Sequence, residues 1–305
     1  MRPVLGVAQT APAFEVPAGA CDCHVHVFGP IARFPYAAER VYTPGPAPVE
    51  ELLALQRMLR LERVVVVQPS PYGEDNACTL DALRRIGAEA RGVAVIGAAT
   101  PEAALRELHA AGVRGVRVNL ETHGKRDPGL ARALIEEAAA RVAPLGWHVQ
   151  TFASLAVLAA LHDAILALSA PLAIDHFGRA DAARGPDQPG FDALVSLVRS
   201  GRAYVKLSAP YRISSQPGYA GAQAIARALV EANPDRMLWG SDWPHPGGTA
   251  GAPRRPEGIE AFRAEDDGAA LNRLAAWVPE APLLHRILVD NPARLYGFGA
   301  PGVVA

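Results

Sequence analysis

From residue 49 onward the chain alternates between two hydrophobic periods. Residues 49–60 space their apolar members (Leu52, Leu53, Leu55, Met58, Leu59) as one face of a helix. The next stretch, Arg63-Val64-Val65-Val66-Val67-Gln68-Pro69-Ser70, is a continuous apolar run ended by polar residues and proline. Such runs mark strands buried on both faces, as in parallel sheets. The pattern then predicts helices over 76–87, 101–111, 128–142, 155–168, 191–199 and 219–232. Between and after them it predicts strands over 92–99, 112–120, 147–152, 171–177, 202–208 and 236–243. Further helices are expected around 269–277 and 283–289, before a tail over 291–296. With a first strand over 21–28, this makes eight strands, each followed by a helix. The repeating unit implies parallel strands, and eight of them without a domain break fit a single (β/α)8 TIM barrel. A doubly wound open sheet is the alternative, but no Gly-x-Gly-x-x-Gly follows any strand. Residues 1–19, proline-rich and without a period, read as an irregular lead-in to a barrel over 20–305. In the long loop 29–48, Pro30, Pro35, Pro44, Pro46 and Pro48 exclude a helix interior, while Phe34, Tyr36 and Tyr42 favour a packed loop.

Composition narrows the class. A chain of 305 residues, half of them apolar, can bury a large core. Lys and Arg number 30 against 31 acidic residues, which gives no reason to expect a nucleic-acid or anionic-membrane partner. No apolar run reaches membrane-spanning length, and the N-terminus does not read as a signal peptide. Three cysteines make no disulfide framework, so the expected compartment is the cytoplasm. An oligomer is left open.

The chemistry sits at the ends of the expected strands, where a barrel carries its active site. In Cys21-Asp22-Cys23-His24-Val25-His26-Val27-Phe28, His24 and His26 fall on one face of a regular strand, about 7 Å apart. Two imidazoles so placed can bind one metal ion or one ligand oxygen, although a lone His-x-His also describes two solvated histidines. Later strands end in Gln68 and Ser70, Arg117 and Asn119, and His148 and Gln150. The last three offer Asp175-His176-Phe177-Gly178-Arg179, then Lys206 and Ser208 followed by Arg212, then Ser241-Asp242. Several other features read as structural. His245 is taken as a loop contact, and Arg254-Arg255 and Glu265-Asp266-Asp267 as charge runs of a solvated loop.

The set Asp22-x-His24-x-His26, Asp175-His176-Phe177-Gly178 and Gly240-Ser241-Asp242-Trp243-Pro244-His245 resembles the amidohydrolase superfamily. More narrowly it resembles the amidohydrolase-2 group, the branch that includes 2-pyrone-4,6-dicarboxylate lactonase, from about Gly19 to Tyr296. The resemblance implies catalysis by His24, His26, His176 and Asp242, with Asp242 as general base towards water. The same four residues are the implied ligands if a single divalent metal, zinc or manganese, is present; without one, the imidazoles themselves stabilise the oxyanion. A two-metal site is not expected, because the fourth strand carries Arg117 and Asn119 where binuclear members carry a bridging lysine or glutamate. Tyr42, Ser70, Arg117, Gln150, Arg179 and Arg212 are the expected substrate contacts, the arginines suiting carboxylates. A second arginine of the lactonase is replaced here by His123, which favours a sugar-acid or muconolactone type over the pyrone dicarboxylate. The expected activity is therefore hydrolysis of a small acidic lactone. A lactone isomerase using the same site, or a zinc-dependent decarboxylase of an aromatic or muconate acid, is the alternative.

Overall fold

The computed structural model describes residues 3–247 and 254–299. Eight strands form one sheet in sequential order. They are β1 (Cys21–Val25), β2 (Arg63–Val67), β3 (Ala90–Ala94), β4 (Val113–Asn119), β5 (His148–Phe152), β6 (Leu172–Ile174), β7 (Ala203–Ser208) and β8 (Met237–Gly240). The registered pairs are parallel. Past β8, Trp243 bridges in parallel to Val25, so the sheet is a nearly closed (β/α)8 barrel, as the alternation predicts. Every residue of β2 is buried, as a strand covered on both faces requires. Each of its valines contributes roughly 1.5 kcal/mol or more by leaving water.

The helices are α1 (Val49–Leu59), α2 (Ala77–Ile86), α3 (Glu102–Ala110), α4 (Pro128–Val142), α5 (Leu155–Ala160), α6 (His162–Leu166), α7 (Phe191–Arg199), α8 (Ala222–Ala232), α9 (Asp267–Trp277), α10 (Ala281–His285) and α11 (Asn291–Tyr296). By internal contacts the chain forms two compact units. One comprises Met1–Arg114, Ser241–Arg273 and Gly299–Ala305; the other comprises Gly115–Gly240 and Leu274–Phe298.

Several boundaries depart from the sequence pattern, among them the strands expected over 171–177 and 236–243, which end at Ile174 and Gly240. The third strand ends at Ala94 rather than 99, because the Asn76 amide takes both the N–H and the C=O of Val95 (2.9 and 2.8 Å) in place of a neighbouring strand. The helix expected over 155–168 breaks at Leu161 into α5 and α6. The expected tail is helical: a π-helical turn over Arg286–Asp290 joins α10 to α11 and lets the chain pass Pro292. Finally, β1 stops at Val25 and carries one extra residue between Asp22 and Val25 relative to β2. That bulge replaces the regular alternation expected for the two histidines.

Candidate active site

In the first unit, His24, His26 and Asp242 converge. The imidazole centroids are 5.0 Å apart with planes at 88°. Both Nε2 atoms face the same carboxylate oxygen of Asp242, at 3.4 Å from His24 and 3.6 Å from His26. All three side chains are buried. Those separations exceed a well-formed hydrogen bond. They match the edge of about 3.4 Å that joins two ligands each about 2.1 Å from a tetrahedral ion. One nitrogen or oxygen from each residue lies within 4.8 Å of the others, so this cluster can hold one metal ion.

The backbone supplies the convergence. Asp242 N–H donates to the His24 carbonyl (2.9 Å) and His26 N–H to the Trp243 carbonyl (2.8 Å), lacing β1 to the segment after β8. Asp242 adopts a left-handed backbone, φ 67°, which turns its carboxylate out of strand geometry. His26 Nδ1 lies 2.8 Å from the Val67 carbonyl, which only accepts. In the neutral ring Nδ1 therefore carries the proton and Nε2 the lone pair, as a ligand or a base requires.

Asp22 belongs to the same cluster, although the sequence pattern alone gives it no role. Its Oδ1 accepts the N–H groups of His24 (3.1 Å) and Ser241 (3.0 Å), fixing both sides of the site. Burial pushes its carboxyl up to about 7, against the pull of the Ser241 and His24 N–H groups. One signal could have found it: Asp22, His24 and His26 share one parity along the strand.

In the second unit, Asp175 is the hub. Its Oδ2 accepts from Gln150 Nε2 (3.1 Å) and lies 3.6 Å from Arg117, while its Oδ1 lies 3.6 Å from Lys206. Lys206 Nζ donates to Gln150 Oε1 at 2.7 Å, so both ends of the Gln150 amide are engaged. His176 follows Asp175, and its Nδ1 sits 2.8 Å from the Ser208 hydroxyl. Its ring meets Phe152 edge-on at 5.1 Å. The guanidinium groups of Arg179 and Arg212 both lie over that same Phe152 ring, 5.7 and 5.4 Å from its centroid. Arg179 also donates to the Arg212 carbonyl at 2.6 Å.

A run of left-handed residues, His176, Phe177, Gly178 and Arg179 (φ 50–62°), folds Arg179 back beside the strand end. Burial lowers the pKa of Arg179, Glu121 opposes this at 3.9 Å, and Arg212 adds to it. Arg117 and Lys206 thus face Asp175 and Arg179 faces Glu121, while Arg179 and Arg212 share the Phe152 ring. Lys206 stands out in sequence only as a charge within an apolar strand, and nothing in the local pattern gives its partners.

The other expected contacts fall as follows. Tyr42 is buried in the first unit with the Arg254 guanidinium 3.4 Å above its ring. Arg254 is held there by Glu260 (2.9 Å), so it is not the solvated charge expected. Ser70 opens a 3-10 turn over Ser70–Tyr72 just after β2. His148 is buried against Tyr296 (5.1 Å) and fills the space a side chain on Gly115 would need. His123, Lys125 and Arg126 are all exposed. The acidic run at 265–267 is not the solvated stretch expected either: Asp267 is wholly buried and lies 3.1 Å from His245 Nε2. Burial opposes a proton on that imidazole, but the Asp267 carboxylate, with Asp242 and Glu265, raises its pKa overall.

A family model, Amidohydro_2, described as "Amidohydrolase", matches residues 21–298. Among curated proteins, a 4-sulfomuconolactone hydrolase of Rhizobium radiobacter is 40% identical over 95% of this chain and 94% of its own length. A 2-pyrone-4,6-dicarboxylate hydrolase of Comamonas testosteroni is 39% identical over 93% of this chain and 92% of its own. A D-galactarolactone isomerase of Agrobacterium fabrum is 28% identical over 95% of each. Among solved structures, a candidate 2-pyrone-4,6-dicarboxylic acid hydrolase of Acinetobacter baumannii, with citric acid bound, superposes with a TM-score of 0.78 at 27% identity. That match covers 92% of this chain and all of the other.

Proposed function

Since the chain belongs to the amidohydrolase family whose model matches residues 21–298, we propose that it is a lactonase, a carboxylic ester hydrolase that opens a small acidic lactone with water activated by Asp242. One observation carries this reading: a buried carboxylate, Asp242, held within 3.6 Å of two imidazoles at the mouth of a barrel. Residues 20–305 are taken as one catalytic barrel.

Asp242 accepts a proton as the water oxygen attacks the lactone carbonyl. The ring C–O bond then breaks, and Asp242 returns the proton to the departing ring oxygen, so lactone and water become a hydroxy acid. His24, His26 and His176 stabilise the negative charge that develops on the carbonyl oxygen, His26 through a metal on its Nε2 lone pair or, without one, once Nε2 is protonated. His24, His26 and Asp242 would hold one divalent ion, zinc or manganese, with His176 the further ligand that the family resemblance implies; such an ion would supply Lewis-acid stabilisation of that same charge.

The clustering of basic groups favours an acidic substrate. Arg117, Arg179 and Arg212 hold its carboxylate, with Tyr42 and Ser70 as further contacts, and Gln150 serves by holding Lys206 and Asp175 in place. The exposure of His123, Lys125 and Arg126 fits a muconolactone or sugar-acid lactone better than a clamped dicarboxylate. Three free, buried cysteines support a cytoplasmic location, and among the described residues no helix is long and apolar enough to cross a membrane. The isomerase among the relatives favours a second reading, in which a substrate hydroxyl replaces water at the same carbonyl.

The test is acid release from 4-sulfomuconolactone, 2-pyrone-4,6-dicarboxylate and D-galactarolactone, with metal content measured before and after chelation. Hydrolysis of at least one is expected, and Asp242→Asn is expected to lower kcat by about a hundredfold or more. Chelation should abolish the activity and zinc or manganese restore it. Acid release that survives complete metal removal would assign the carbonyl to the imidazoles alone. No acid release, with carbon dioxide evolved instead from an aromatic or muconate acid, would replace the reading by a decarboxylase.

A further inference from the structure

The loop that carries Asp242 is tied down from its far side. Three residues on, His245 is again left-handed, φ 68°, and its N–H donates to the Asp242 carbonyl at 2.7 Å. Two non-glycine residues in this conformation are strained, so the surroundings must hold them. The hold comes through the side chain of His245, which pairs with the buried carboxylate of Asp267 at 3.1 Å, and through its carbonyl, which accepts from Arg263 N–H at 3.1 Å.

Asp267 is itself anchored. It opens α9, and its N–H donates to Gln9 Oε1 at 2.7 Å. Next to it, Asp266 accepts from Thr10 N–H and from Ala269 N–H, both at 2.9 Å. At Gly268 the lead-in passes so close that an added Cβ would lie 1.7 Å from the Thr10 carbonyl oxygen. Only glycine admits that approach. The proline-rich segment before β1 is therefore the clamp on the start of α9.

We propose that Asp267, acting through His245, is a positioning residue for Asp242, and that Gln9 fixes Asp267. The proposal rests on the reading of Asp242 as the proton acceptor. A pair that served only the fold would, when weakened, lower stability and leave the turnover of the folded fraction intact. A positioning pair lowers kcat at unchanged substrate binding, because a misplacement of about 1 Å at a reacting group costs up to about a hundredfold.

The experiment measures kcat, KM and thermal midpoint on whichever lactone the unmodified protein turns over fastest. The variants are Asp267→Asn, Gln9→Leu, His245→Gln and His245→Leu, with the first two repeated in an Asp242→Asn background. Asp267→Asn should lower kcat about tenfold or more with KM within about twofold, and Gln9→Leu should lower it about threefold. His245→Gln, which keeps a side-chain N–H donor, should retain more activity than His245→Leu. In the Asp242→Asn background neither change should slow the residual reaction further, as expected for residues acting as a unit.

An inactive Asp242→Asn beside unimpaired Asp267→Asn and Gln9→Leu overturns this proposal alone, as does a loss that multiplies in the double variants. If Asp267→Asn does not fold, Gln9→Leu decides. Full activity in Asp242→Asn, or no turnover by the unmodified protein, overturns the assignment of the base and this proposal with it.

Discussion

At the scale of single residues, Asp22 has the sharpest measurable signature. Its carboxyl rises from the usual 3.8 to about 7 on folding. Between those values the folded chain keeps a proton that the unfolded chain has released, so its contribution to stability is full below about 4 and is lost as pH rises through about 7. The loss is on the order of a few kcal/mol at most. An amide at this position mimics the protonated form of Asp22. Thermal midpoints of Asp22→Asn should therefore gain on the unmodified protein as pH rises from about 4 to 8, and a constant difference would reject the assignment. The four catalytic candidates were legible as strand-end residues, and the structure brings His24, His26 and Asp242 within one carboxylate's reach. The distant partners of the supporting residues were not: Ser241 for Asp22, 219 residues away, Gln150 for Lys206, 56 residues away, and His245 for Asp267 are pairings that no local pattern encodes.

At the scale of elements, type and order followed from hydrophobic period, and the misses lay at ends. The third strand shows why: Val95 and Ile96 are apolar and read as strand, yet a side-chain amide from α2's N-terminal neighbour captures Val95 first. Asn76→Ala removes both bonds and should cost about 2 kcal/mol, seen as a lower unfolding midpoint and faster amide exchange at Val95. If exchange at Val95 is unchanged, the strand end is held by something else. The bulge in β1 was equally invisible, because one extra residue leaves the apolar alternation intact while changing where His24 points.

For the whole molecule, the near balance of 30 basic and 31 acidic residues gives little long-range attraction for an anion. On the proposed reading, recognition of an acidic lactone would fall to the basic side chains of the second unit, acting over short distances. Raising ionic strength from about 0.05 to 0.5 M should therefore change KM by less than about twofold and leave kcat nearly unchanged. A several-fold rise in KM would mean that long-range attraction draws the substrate in after all. The barrel itself was readable because eight repeats of one unit leave few topologies.

The hydrogen bond between His26 and the Val67 carbonyl bears on how such a site survives genetic drift. Every amino acid carries that oxygen, so no codon change at position 67 can delete it while the strand keeps its path. The protonation pattern of His26 is thereby inherited with the backbone. His176 leans instead on the Ser208 hydroxyl, which a single replacement removes. A mutagenesis library built on this chain should recover the apolar replacements that the core admits at 67 with the His26 contact intact, and few functional residues at 208.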